Sequence, residues 1–418
     1  MRILIKSAQI IEKNNPLHQQ KVDVLIENGK IIDISSNIET SADQTITHKN
    51  LHISAGWFDS SVCFGEPGYE ERETIENGLL TAAKSGFTAV ALNPDTSPVI
   101  DNHASVNFLK NKSFAAATHL FPIGSLTQKG EGKELAELFD MKLAGAVAFG
   151  DYKKAIKNPN LLKIALQYSQ SFNALIMSFP NEETLTKNAV VNEGKVSTKM
   201  GLKGMPNFAE ELQISRDLEI LAYTGGRLHI PTISTAGSVA RIAKAKKEGL
   251  DVSCSVAIPN LFFTDEKLKE FDSVYKIKPP LRTEEDRKAL IEGVKSGVID
   301  MITSDHRPMN IEYKKLEFEQ AKYGTLGLES AFGALNNLFG VEKTIELLTK
   351  NRNRFGLENP KIEKGKTAEI TFFDPDENFK FKEENIYSQS KNHIFLEEEL
   401  KGKALGVLSN NRLILNQQ

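Results

Sequence analysis

Between residues 55 and 355, short apolar runs alternate with longer stretches in which apolar positions recur every three or four residues. The short runs are "FTAVALN" at 87–93, "HLFPIG" at 119–124, "GAVAFG" at 145–150, "ALIMSF" at 174–179, "RLHIPTIS" at 227–234, "VSCSVAI" at 252–258 and "VIDMITSD" at 298–305. With "LHISAGWFDSSV" at 51–62 they make eight. Near-continuous apolar strands are buried on both faces, as in a parallel sheet covered by helices. The stretches between them, such as "ETIENGLLTAAKSG" and "EDRKALIEGVKSG", have a helical period and close on a glycine suited to a left-handed cap. Eight such units predict an α/β fold of the (β/α)8 TIM-type barrel class.

The two ends have a different rhythm. Residues 1–54 contain "RILIKSAQII", "KVDVLIENGKIIDI" and "QTITHKNLHISAG", with turn signals such as Glu27-Asn28-Gly29 between them, which predicts β-hairpins. The far end matches in style, with "TAEITFFDPDENFKF" and "ALGVLSNNRLILNQ". Two β-rich ends around a barrel predict a composite β-sandwich from residues 1–54 plus 356–418, with the barrel at 55–355.

Composition narrows the class. A chain of 418 residues suits one large barrel and a small accessory domain. A net charge of −3 makes no electrostatic case for nucleic acid or an anionic membrane. No apolar run reaches the roughly 20 residues of a membrane span. The start, "MRILIKSAQIIEKNN", reads as a strand, not a signal peptide. The only cysteines, Cys63 and Cys254, are far apart, so no disulfide framework is expected. The expected location is the cytoplasm.

Barrel chemistry sits at the C-terminal ends of the strands. Those ends carry Asp59, Ser61 and Cys63; Asn93 and Asp95; Asp151; Phe179; His229 and Thr232; Lys278; and Asp305, His306 and Arg307. In "DSSVCFGEPGYEERETIENG", Ser61 and Cys63 alternate onto one side behind a carboxylate, where a metal hydrolase would place two histidines.

"FGEPGYEERETIENG", "NEGKVSTKMGLKGMPNFAEE", "KPPLRTEEDRKAL", "GTLGLES" and "YSQSKNHIFLEEELKGKALGV" resemble, in order, segments of the dihydroorotase branch of the amidohydrolase superfamily. The resemblance covers nearly the whole chain. It implies a barrel with a composite sandwich, and a zinc-dependent reaction at a cyclic amide in pyrimidine biosynthesis. It also implies where the metal would sit: the family's ligand positions are Ser61, Cys63, Asp151, Phe179, Thr232 and Asp305 here. None of the four ligand histidines remains, and Asp305, the family's catalytic aspartate, is left as a vestige. The family's substrate positions are Gly65, Asp95, Lys278 and Met309 here, so the arginine that grips the substrate carboxylate is a glycine and a carboxylate stands opposite. Arg307 borders the same pocket.

Zinc sites are built from imidazole, thiolate and carboxylate at about 2.0–2.3 Å. Phenylalanine cannot ligate, and serine and threonine hydroxyls are poor zinc ligands. The resemblance with these replacements therefore implies a dihydroorotase homologue without normal turnover and with no metal expected. By the same resemblance it would be a structural or regulatory partner of aspartate carbamoyltransferase and a homodimer or larger. Two alternatives stand beside it. One is an active cyclic-amide hydrolase with zinc at Cys63, Asp151 and Asp305. The other is a small-molecule sensor barrel using Asp95, Asp151 and Asp305.

Losing two zinc ions removes about four positive charges from a site that keeps carboxylates, and bare buried carboxylates are costly. The expectation is that Lys278 or Arg307 bridges Asp151 or Asp305. The simpler readings are that His229 and His306 are packed structural histidines, Cys63 a small buried hydrophobe, "KAKK" at 244–247 a solvated helix face, and Glu70, Glu71 and Glu73 acids at a helix N-terminus.

Overall fold

A computed structural model describes residues 1–350 and 352–416. Eight parallel strands form the barrel: β1 (Trp57–Val62), β2 (Phe87–Leu92), β3 (His119–Gly124), β4 (Ala148–Phe149), β5 (Ile176–Met177), β6 (Leu228–Ile230), β7 (Val252–Ala257) and β8 (Met301–Thr303). Each of the eight apolar runs contributes one barrel strand, and β4, β5, β6 and β8 are shorter than their runs.

The ring closes between β8 and β1 through side chains as well as backbone. Thr303 Oγ1 donates to the Ser61 carbonyl at 2.9 Å, Ser304 N–H to Asp59 Oδ2 at 2.9 Å, and Cys63 N–H to the His306 carbonyl at 2.8 Å. Asp59 is thus a structural carboxylate, not a ligand. Its pKa is raised by burial, which the hydroxyl and amide donors offset only in part.

The helices wrap the barrel, and their ends follow the sequence cues. Ile75–Lys84 starts at Thr74, whose side chain accepts from Asn77 N–H, and leads into Gly86 at φ +92°. Glu284–Lys295 starts at Thr283 and is followed by Gly297 at φ +78°. Among the described residues, no helix is long and apolar enough to cross a membrane.

The second large sheet joins both ends of the chain. Strand His52–Ala55 pairs with Arg2–Ile10 on one side and antiparallel with Ile370–Lys380 on the other. Glu399–Ser409 and Arg412–Leu415 extend it at one end, Lys21–Glu27 and Lys30–Ser35 at the other. The two ends together bury Ile3, Ile5, Ile53, Ile370, Phe372 and Leu408 in one core, giving the composite β-sandwich. A single residue, Gly56, separates this sheet from β1. Immediately beyond it, buried Trp57 packs on Phe332 at 4.8 Å and Phe373 at 5.7 Å and donates from Nε1 to Ser54 Oγ. A Cβ on Gly86 would lie 2.5 Å from that indole, so glycine is required there twice over, by space and by φ.

Candidate functional site

The mouth of the barrel lies where the sequence places it, at the strand C-termini, but a different set of side chains fills it. Ser61 is buried and accepts from Asn93 Nδ2 at 2.9 Å. Cys63 is buried, and burial pushes its thiol well up, so it is held as a thiol and not a thiolate. Phe179 and Thr232 are buried, with Thr232 in a left-handed conformation at φ +48° and its N–H on Ser255 Oγ.

Asp151 does not face Asp305. Its Oδ1 accepts from Ser125 Oγ at 2.7 Å and Thr127 N–H at 3.0 Å, and its Oδ2 accepts from Thr127 Oγ1 at 2.5 Å. Both oxygens are committed to the loop after β3. The next two residues turn into the mouth instead. Tyr152, at φ +55°, directs its hydroxyl to Asp305 Oδ1 at 3.4 Å. Lys153, 9% exposed, places its ammonium 2.5 Å from Asp305 Oδ2 and 5.3 Å from the Tyr152 ring centre.

The cation beside Asp305 is therefore Lys153 and not Lys278 or Arg307. Lys278 Nζ donates to the Lys153 carbonyl at 3.3 Å and lies 5.3 Å from the Phe179 ring centre; burial lowers its pKa. Arg307 pairs through Nε with Asp95 Oδ2 at 2.9 Å, donates to the Tyr323 carbonyl, and stands 5.5 Å from the Tyr152 ring centre. It reaches Asp305 only as a neighbouring charge. Burial raises the pKa of Asp305 even so, with Lys153 foremost among the groups that oppose the rise.

The substrate-pocket positions are equally committed. Gly65 accepts at its carbonyl from Tyr69 N–H at 2.9 Å, and a Cβ there would lie 1.9 Å from the Tyr69 oxygen. Met309 is buried, its N–H on Asn392 Oδ1. The space left inside the mouth is about 10 Å³, the lower limit for one water. Grooves of about 390 and 600 Å³ flank it and meet at Lys278.

The two histidines near the mouth are packed. His229 meets Ser253 Oγ at 2.9 Å and Ser255 Oγ at 3.2 Å, and burial lowers its pKa to about 3. His306 Nδ1 accepts from Gly327 N–H at 3.3 Å, and burial lowers it likewise to about 3. Glu73 lies just before the helix Ile75–Lys84, as expected, but it is buried and holds the Ser388 hydroxyl and the Gln389 N–H. Sequence reasoning missed Tyr152 and Lys153. The signal was their position directly after Asp151 in "GDYKK", at the end of β4.

A family profile described as Dihydro-orotase-like matches residues 52–238. A dihydroorotase of Pelotomaculum thermopropionicum is 36% identical over 425 residues, covering 100% of this chain and 99% of its own. One of Caldicellulosiruptor saccharolyticus is 38% identical over 424 residues, covering 99% and 98%. The chain belongs to the dihydroorotase family. Among solved structures, an L-hydantoinase from Arthrobacter aurescens superimposes with a TM-score of 0.86 at 20% identity, covering 99% of this chain and 96% of that one, a likeness of fold.

Within a dihydroorotase-family barrel the implied metal is zinc, and the residues present do not fit it. The donors at the mouth are a hydroxyl on Ser61, one thiol on Cys63 and one carboxylate on Asp305, and an ammonium already sits on that carboxylate. Among the described residues, no group of three or more His, Cys, Asp or Glu side chains is arranged to hold a metal ion.

Proposed function

We propose that this dihydroorotase-family protein does not hydrolyse or close a cyclic amide through metal-bound hydroxide and that it acts as a structural partner of aspartate carbamoyltransferase. The observation that carries the first half is the Lys153–Asp305 ion pair. A metal on Asp305 would have to displace a buried ammonium at hydrogen-bond distance, and no imidazole waits to complete its coordination. The confined mouth supports the same reading, since small-molecule pockets run to about 300–1,000 Å³. The second half rests on the family resemblance and on the intact fold around the altered mouth.

A second reading is an active dihydroorotase with an atypical zinc site, and the relatives favour it: those cited above are named dihydroorotase and align over almost the full chain. In that case zinc would be held by Cys63, Asp151 and Asp305, and Asp151 would have to leave its Ser125 and Thr127 donors.

Elemental analysis and a dihydroorotate assay, run in both directions on the purified protein with zinc supplied, separate the two. The expected result is zinc well below one per chain and no turnover above background. Stoichiometric zinc with turnover overturns the first half. Gel filtration with aspartate carbamoyltransferase from the same source tests the second: co-elution is expected, and separate peaks at micromolar concentration count against it.

A further inference from the structure

The misfit between this mouth and zinc leads to a positive role for the side chain that takes its place. A metal in a barrel does structural work: it draws carboxylates from different strands onto one centre and pays back their desolvation. Here Lys153 comes from the loop after β4 and Asp305 from the end of β8, on opposite sides of the ring, and they meet at 2.5 Å. Three further contacts brace the pair. The Tyr152 hydroxyl reaches the other Asp305 oxygen at 3.4 Å. Lys278 donates to the Lys153 carbonyl. Arg307 lies over the Tyr152 ring while bound to Asp95, which follows β2.

We propose that Lys153 is a built-in cation that replaces a bound metal as the tie across the barrel mouth, so that the fold of this chain is held closed without any metal. The inference rests on the reading that the protein lacks a catalytic zinc, and it makes a separate claim. Turnover tests that reading; stability tests this one.

Three melting measurements decide it. The first compares the wild-type protein as purified, after EDTA treatment, and with added zinc. The second takes Lys153→Met, which keeps the aliphatic stem and removes the charge. The third adds Asp305→Asn to Lys153→Met, removing the carboxylate that the first substitution strands. The expected pattern is a wild-type melting temperature unmoved by EDTA or zinc, a clear fall or failure to fold for Lys153→Met, and recovery of at least half that fall in the double variant. A wild-type melting temperature that drops in EDTA overturns the proposal, because a metal then does the tying. A Lys153→Met protein that melts with the wild type, or a double variant no better than the single one, overturns it as well. An active zinc enzyme with an EDTA-sensitive melt would refute both claims. Absence of turnover with an unperturbed Lys153→Met melt would refute this one alone.

Discussion

Glu329, on the helix Leu328–Phe339, should make this protein lose stability in alkaline solution. Its Oε1 accepts from Ser388 N–H at 3.1 Å. Its Oε2 lies 3.9 Å from His306 Nδ1 and from His393 Nε2 and, among the described residues, accepts no hydrogen bond. Neither histidine supplies a charge, since burial holds both well below the usual imidazole range. Burial accordingly pushes the Glu329 carboxyl up to about 7, and the backbone donors and Lys391 offset this only in part. A carboxyl whose folded pKa exceeds its unfolded one contributes stability that is complete below the unfolded value, near 4.5, and is lost as pH rises through about 7. The full span is worth about 3 kcal/mol, and the part between pH 6 and 8.5 about 1 kcal/mol. The perturbation is Glu329→Gln, which keeps an acceptor for Ser388 and cannot ionise. The assay is the urea unfolding midpoint at pH 6 and pH 8.5, followed by the fluorescence of Trp57, the single and buried tryptophan. The buried histidines work in the opposite sense, destabilising as pH falls through about 6.5, but they do so in both proteins and cancel in the comparison. The wild type should lose about 1 kcal/mol more than the variant between the two pH values. Equal losses in the two proteins would refute the reasoning, whatever the variant does to stability at a single pH.

Two further predictions concern the barrel itself. Asp59→Ala strands two donors, Ser61 N–H and Ser304 N–H, at the seam between β1 and β8, while the Thr303 hydroxyl keeps the Ser61 carbonyl. At about 1–3 kcal/mol for each unsatisfied buried group it should cost on the order of 2–6 kcal/mol in chemical unfolding, and a loss under about 1 kcal/mol would rule out the seam as described. Gly65→Arg, the residue the family resemblance implies for gripping an anion, forces a Cβ to within 1.9 Å of the Tyr69 oxygen. It should lower the melting temperature and give no stabilisation by dihydroorotate in a thermal-shift titration; ligand-dependent stabilisation of that variant would contradict the geometry.

How far the sequence reaches is clear from particular positions. The eight strands were legible because each is buried on both faces and so reads as an unbroken apolar run, from "FTAVALN" to "VIDMITSD". The sandwich was legible because alternating strands at both ends had to find partners, and His52–Ala55 is the strand that joins them. What could not be read was direction. Alternation of side chains holds inside a strand, and β4 ends at Phe149, before the residues that matter. Beyond it the backbone enters a left-handed conformation at Tyr152, which turns Asp151 toward Ser125 and Thr127 and sends Tyr152 and Lys153 inward. Glu73 escaped for a related reason. Its position just before a helix suggested an acid placed for the helix dipole, and only the fold brings Ser388 across to it from the far end of the chain.

The altered mouth makes sense as one coupled electrostatic change and not as a set of separate losses. Asp305 is only 4% exposed, and a carboxylate buried without compensation either protonates or acquires a cation. Lys153 is that cation, and its single charge matches the single carboxylate that still faces inward, since Asp151 has turned to hydroxyl and amide donors. The same logic reaches the anion clamp. With no arginine at position 65, Asp95 would be a second unpaired carboxylate at the rim, and Arg307 takes it up at 2.9 Å. Each acid in the mouth is thus committed to internal partners, and the Arg307 guanidinium is occupied by Asp95. A metal entering at Asp305 would first have to displace the Lys153 ammonium, so a test of metal binding at this mouth has to begin at Lys153.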